Sequence, residues 1–186
     1  MTTFAESTKR TDRIDEFETD CSPFSLGELC DYLVNTRHAD LKKALPRIGS
    51  LLLHVAEGDA ERHPELHRVL ELFSRLAGDL NLHMTKEEEI LFPLIEEIEG
   101  HSATHDLSLL IERLEEEHER VGETFGEMRL LTRDFTPPAG SCSTYRTVLA
   151  ALGHMERDLQ ALFDIEENIL FFRACQIGEW PAVSRR

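Results

Sequence analysis

The stretch His83-Met84-Thr85-Lys86-Glu87-Glu88-Glu89-Ile90-Leu91-Phe92-Pro93 constrains this chain most. Leu66, Val69, Phe73, Leu76, Leu80, His83, Glu87, Ile90 and Leu94 recur in steps of three and four, the period of one buried helix face. A histidine and a glutamate therefore stand one turn apart inside a stripe that is otherwise apolar. A carboxylate facing a core is costly without a partner. A metal ion is the partner that also accounts for the histidine.

The stretch has an echo. Leu162-Phe163-Asp164-Ile165-Glu166-Glu167-Asn168-Ile169-Leu170-Phe171-Phe172 repeats its frame, with Glu166 in the place of Glu87 and Ile-Leu-Phe following in both. The position equivalent to His83 is Leu162.

A chain of 186 residues suffices for one domain with a substantial core. Residues 1–22 are polar and charged and read as a flexible tail, and residues 23–186 read as the folded domain. The net charge of −16 argues against nucleic acid and against anionic membranes as partners. No apolar run approaches the roughly 20 residues of a membrane span. Cys21, Cys30, Cys142 and Cys175 are scattered, with no paired spacing for zinc or redox chemistry. With no apolar segment of a secretion signal near the N-terminus, they are expected as reduced thiols in the cytoplasm.

The period predicts four long helices. Ser25-Leu26-Gly27-Glu28 reads as a capping box opening the first, which runs from Leu26 to about Ala56. Its seam is Cys30, Val34, His38, Leu41, Leu45, Ile48, Leu52 and Val55, and Pro46 is expected to kink or divide it. The second opens at His63-Pro64-Glu65 and closes at Gly100. The third runs from about Thr104 to Arg133, with Leu107, Ile111, Leu114, His118, Val121, Phe125 and Met128 on its seam. After a Thr136-Pro137-Pro138-Ala139-Gly140 loop, the fourth runs from near Ser143 to near Cys175. Its seam is Tyr145, Val148, Leu152, Met155, Leu159, Leu162, Glu166 and Ile169. Short connections make this an all-α, up-down-up-down four-helix bundle.

The seams sort the nine histidines. His38, His83 and His118 lie on core stripes; His54, His63, His67, His101, His105 and His154 lie off them and read as solvated or capping side chains. In antiparallel helices, equal distance from a shared connection means equal height. His38 and His83 are each about 22 positions from the first connection, and His83 and His118 are about 18 from the second, which puts all three at one level. Glu87 follows one turn along, and the repeat sets Glu166 level with it. A single core histidine is usually just hydrogen-bonded within the protein. Three at one level beside the two seam glutamates favour a ligand set, His38, His83, Glu87, His118 and Glu166, suited to a non-haem iron or manganese pair rather than structural zinc. The acidic run Glu115-Glu116-Glu117 reads as a solvated face, Cys30 as a small core residue, and Cys142 as a helix-start residue.

These residues resemble the hemerythrin-like di-iron proteins. They are most similar to the RIC proteins (repair of iron centres), which act on iron–sulfur clusters damaged by nitric oxide or peroxide. The resemblance spans about Leu26 to Cys175. It rests on Leu26-Gly27-Glu28-Leu29, Arg37-His38, the His83–Pro93 stretch, Glu117-His118-Glu119, Thr136-Pro137-Pro138 with Cys142, and Glu166-Glu167-Asn168-Ile169-Leu170-Phe171. The family site has four histidines and two bridging glutamates. His38, His83 and His118 match three of the histidines, Glu87 and Glu166 match the bridges, and the fourth histidine falls on Leu162. Family members often carry a small N-terminal domain with a cysteine pair, for which residues 1–22 are too short and Cys21 stands alone.

The resemblance implies a hemerythrin-like bundle, iron as cofactor, small gaseous or peroxide ligands, damaged iron–sulfur proteins as partners, and a monomer or homodimer. Three functions are compatible with it. The first is cluster repair with a di-iron site in which water or another oxygen ligand completes the iron facing Leu162. The second is an oxygen or nitric oxide binder or sensor. The third is a metal-depleted member acting as an interaction module.

Overall fold

The structure, a computed structural model, describes residues 24–59, 61–100 and 105–178. The expected tail at 1–22, with Cys21, and His101 lie outside the described residues. No strand occurs among the described residues. The elements are α1 (Leu26–Tyr32), a π-helical turn π1 (Leu33–His38), α2 (Ala39–Asp59), α3 (Glu65–Lys86), π2 (Glu87–Leu91), α4 (Phe92–Glu99), α5 (Ser108–Thr132), α6 (Ser143–Ile165), π3 (Glu166–Phe171) and α7 (Phe172–Gly178). Since each π turn continues the helices beside it, these make four long helices: α1–π1–α2, α3–π2–α4, α5 and α6–π3–α7. Each packs on the next, and the first also packs on the fourth. This is the predicted up-down-up-down bundle.

The helix starts are fixed locally. Ser25 caps α1 by a reciprocal pair: Glu28 N–H donates to Ser25 Oγ at 3.1 Å, and Ser25 N–H donates to Glu28 Oε2 at 2.9 Å. The first free N–H groups of α1 find a second acceptor. Glu99, at the end of the antiparallel second helix, accepts from Leu26 N–H at 2.7 Å and Gly27 N–H at 2.9 Å. Cys142 caps α6, its Sγ accepting from Tyr145 N–H at 3.4 Å, which gives this residue the helix-start role expected of it. α5 ends in three consecutive left-handed residues, Arg133, Asp134 and Phe135.

Pro46 does not divide the first helix; α2 runs unbroken from Ala39 to Asp59. Pro46 and Lys42, one turn before it, are both exposed, so the helical hydrogen bond that proline forgoes lies on the outer face of the helix.

The core is a continuous stripe of aliphatic and aromatic side chains from all four helices, each worth about 1.5–3 kcal/mol when fully buried. Cys30 packs within it as a small apolar residue. The seams depart from the sequence expectation at the π turns. Ile90 is 48% exposed, whereas Leu91, Ile95 and Ile98 are buried. Leu94 and Ile169 are only partly buried, and Leu170, Phe171 and Ala174 carry the fourth seam inward. In the first helix Leu33 rather than Val34 fills the core. The cause is one extra residue per π turn. Ala39 N–H bonds to Val34 C=O and Phe92 N–H to Glu87 C=O, five residues back, which rotates the next helical segment relative to a regular α-helix. Pro93, which has no N–H to donate, comes directly after, where that pattern is already interrupted.

Candidate metal centre

The three π turns lie at one level of the bundle and bring the seam residues together. His38 ends π1, Glu87 opens π2 and Glu166 opens π3; His83 lies one turn before Glu87, and His118 comes from α5. All five side chains are buried. Glu87 and Glu166 are wholly inaccessible to solvent. His83 Nε2 lies 3.4 Å from Glu87 Oε2, and His118 Nε2 lies 3.3 Å from Glu166 Oε2. His38 Nε2 reaches both carboxylates, at 3.4 Å from Glu87 Oε2 and 3.7 Å from Glu166 Oε1. The turn counting from the sequence is thereby matched in three dimensions.

Each imidazole is aimed by a glutamate on its outer nitrogen. His38 Nδ1 lies 2.8 Å from Glu88 Oε1, His83 Nδ1 3.0 Å from Glu117 Oε2, and His118 Nδ1 2.7 Å from Glu167 Oε1. A carboxylate accepts here, so each Nδ1 donates, and Nε2 is left to face the centre. These glutamates are anchored in turn. Lys42 Nζ donates to both oxygens of Glu88 at 2.7 Å, and Lys86 donates to Glu117. The ammonium and imidazole neighbours outweigh partial burial and hold Glu88 and Glu117 below the usual carboxylate range. Aromatic rings fix the imidazole planes: Phe163 stacks on His118 with centroids 3.8 Å apart, and Phe92 stacks on His38 at 5.9 Å.

The sequence reading left these outer carboxylates unassigned, and for Glu117 the solvated-face expectation is corrected. Glu115 and Glu116 are exposed, but Glu117 is only 21% accessible and is bonded to His83 and Lys86. The available signal was adjacency: each of the three is next in sequence to a seam glutamate or histidine. Of the histidines read as peripheral, none described reaches the centre. His54, His67 and His154 are exposed, His105 pairs with Glu97, and half-buried His63 packs edge-on against Tyr145.

The electrostatics of the centre call for a cation. Neither oxygen of Glu87 nor of Glu166 has a hydrogen-bond partner, and His38 Nε2 has none either; the 3.3–3.7 Å contacts above are longer than good hydrogen bonds. A buried, uncompensated carboxylate costs several kcal/mol, and two would consume much of a domain's roughly 5–15 kcal/mol of stability. Burial, together with the charge of Glu166, pushes the Glu87 carboxyl up. For His38, burial opposes protonation, but the two carboxylates prevail and push it up to about 10. His83 and His118 add a second indication, since their Nε2 atoms lie 3.1 Å apart. That is hydrogen-bond distance for a protonated His118, and it is also the spacing, roughly 3 Å, of two nitrogens bound at right angles to one ion at about 2.1 Å. His83, Glu87, His118 and Glu166 offer ligand atoms all within 4.8 Å of one another, while His38 meets the same carboxylates separately. The donor set, imidazole and carboxylate without thiolate, suits iron or manganese.

Residues 31–174 match the family described as the hemerythrin HHE cation binding domain. The chain belongs to this family. Within the hemerythrin family it is similar to proteins named iron-sulfur cluster repair protein YtfE. That of Edwardsiella ictaluri is 34% identical over 149 residues, covering 80% of this chain and 66% of the relative. That of Musicola paradisiaca is 31% identical, covering 80% and 65%, and that of Salmonella typhimurium 29% identical, covering 84% and 70%. The chain thus spans about two thirds of the length of these relatives. No helix among the described residues is long and apolar enough to cross a membrane.

Leu162 is buried one turn before Glu166, as His83 is before Glu87. It lines a groove between the first and fourth helices.

Proposed function

We propose that this hemerythrin-family domain, taken as residues 23–186, holds a pair of non-haem iron ions and repairs iron–sulfur clusters damaged by nitric oxide or oxidative stress. Glu87 and Glu166 would hold the pair between them, with His83 and His118 on one side and His38 on the other, beside Leu162. The observation that carries the reading is the pair of fully buried carboxylates, without hydrogen-bond partners, enclosed by three imidazoles whose Nε2 atoms face inward. The names of the relatives support the substrate class.

An iron pair of this kind supplies one-electron redox chemistry and sites for small ligands. The residues supply its setting. Glu88, Glu117 and Glu167 keep the histidines in the tautomer that presents Nε2. Phe92, Phe163 and Phe171 keep bulk water from the imidazoles. Damaged iron–sulfur proteins are the partners under this reading. A cytoplasmic setting belongs to this reading and accords with the acidic composition of the chain. The test is whether iron-loaded protein restores activity to an iron–sulfur enzyme inactivated by nitric oxide. Restoration above an iron-only control is expected, and no restoration sinks the repair reading.

Leu162 favours a second reading, a binder of oxygen or nitric oxide as monomer or homodimer, because loss of an imidazole frees a coordination position. A reversible absorption change on adding and removing the gas is the expected signature, and a spectrum indifferent to both gases ends it.

A further inference from the structure

The three glutamates behind the histidines are not held alike. Glu88, behind His38, receives Lys42 Nζ on both oxygens at 2.7 Å. Glu117, behind His83, receives Lys86 and has the Arg120 guanidinium 3.8 Å away. Glu167, behind His118, pairs with no lysine or arginine among the described residues. The neighbour it does feel is like-charged: burial and, after it, the Glu167 carboxylate push the Glu115 carboxyl up. Glu167 is also the most open of the three, 38% accessible where Glu88 and Glu117 are 21%.

The internal repeat shows where a cation for Glu167 would have to stand. His38 of the first helix corresponds to His118 of the third, and Glu88 corresponds to Glu167. Lys42 follows His38 by four residues, one helical turn, which sets it on the face from which it reaches Glu88. Four residues after His118 comes Gly122, which has no side chain to extend. Packing does not call for a glycine there. Gly122 is exposed in the middle of α5, and nothing lies within 4 Å of where a Cβ would be. Glycine is also among the least favourable residues inside a helix. The position thus has room for a lysine and lacks one on the very helix whose histidine has an unanchored partner.

The packing around this arm is the loosest at the centre. Of the four neighbouring pairs, the third and fourth helices, which carry His118 and Glu167, are the most sparsely packed against each other. Phe163, stacked on His118, is itself only half-buried. Turning His38 away from the centre requires breaking the Lys42 fork on Glu88 as well as the imidazole bond. Turning His118 requires only that Glu167 swing toward solvent.

We propose that Lys42 and Lys86 are positioning residues that fix His38 and His83 through Glu88 and Glu117. Gly122, in the place of a third lysine, leaves His118 as the imidazole that yields when the more tightly held metal ion enters or leaves. The inference deepens the metal-pair reading and rests on it.

The test uses the full chain loaded with ferrous iron under anaerobic conditions. Proton NMR reads each Nδ1–H of a metal-bound imidazole as a paramagnetically shifted signal that exchanges in D2O, and a chelator reads release of the last iron. The signal displaced by Glu167→Gln belongs to His118 and is expected to exchange first. Gly122→Lys should slow both that exchange and the release by about two- to fivefold, the worth of a partly exposed ion pair. Gly122→Gln, similar in length but uncharged, should leave both near parental values. In the reverse direction, Lys42→Met should speed exchange of the His38 signal by about the same factor, and Lys42→Arg should restore most of the protection. Metal content and circular dichroism are measured first on every variant. A His118 signal that exchanges no faster than the others, or a Gly122→Lys variant that behaves as Gly122→Gln does, overturns the inference and leaves the metal-pair reading standing. Should Gly122→Lys fail to fold, a Lys42→Met variant that exchanges as the parent does overturns it instead. A parent that takes up no iron overturns both.

Discussion

The two helical hairpins of this bundle bring nearly the same residues to its middle and finish the site differently. The seam histidine of the first helix, His38, corresponds to His118 of the third; Glu87 corresponds to Glu166; and the outer partners Glu88 and Glu167 correspond as well, each accepting from its histidine across the bundle. The correspondence breaks at His83 and Leu162, and at Glu117 and Arg37. One side of the centre is closed by an imidazole held from behind by a carboxylate and a lysine. The other side opens on a groove about four times larger. The two carboxylates are thus common to both sides while the side chain one turn before each differs. Glu87 and Glu166 are buried without hydrogen-bond partners, whereas His83 is replaced by an aliphatic side chain at Leu162.

The largest expected effect abolishes the comparison. Glu166→Ala removes a carboxylate common to both sides, and metal analysis should find both ions lost; retention of even one at parental affinity would deny Glu166 a bridging role. Next, Leu162→His restores the missing imidazole. Iron content after dialysis should rise, or the second ion should bind more tightly, and loading no better than the parent would show that Leu162 does not face the metal. Smaller again is Glu117→Ala, which frees His83 without removing it. Metal affinity is expected to fall about 10–100-fold, the usual cost of losing an outer carboxylate, by competition against a chelator. An unchanged affinity would reduce Glu117 to a solvated residue like Glu115 and Glu116. The last concerns the frame around the site. Leu91→Ala should cost about 2–5 kcal/mol in denaturant unfolding, whereas Ile90→Ala should stay within about 0.5 kcal/mol; the opposite ranking would put the second helix back in regular α phase.

That last pair marks where the sequence was legible and where it was not. Up to Glu87 the three-and-four spacing names the buried residues of the second helix, and the same holds up to Glu166 in the fourth. Beyond them it names Ile90, Leu94 and Ile169, while the core takes Leu91, Ile95 and Leu170. Periodicity carried forward at α-helical pitch cannot contain the extra residue of a π turn, and nothing in Glu-Glu-Glu-Ile-Leu marks one. The extra residue sits at the site itself, a common position for such turns. His38, His83, Glu87, His118 and Glu166 were readable because a polar residue in an apolar stripe is anomalous on one helix alone. Glu88, Glu117 and Glu167 were not, because glutamate beside a stripe is ordinary in an acidic chain, and only the packing of the opposite helix gives it an imidazole to hold.

The central claim is that the buried carboxylates bridge a metal pair of unequal sides. Iron content by mass spectrometry on anaerobically purified protein, before and after brief exposure to a chelator, tests it most directly. About two irons per chain at first, with one removed well ahead of the other, is the predicted result for bridged ions of which one lacks a terminal imidazole. Protein that carries no stoichiometric iron, and takes up none when it is supplied, would contradict the account.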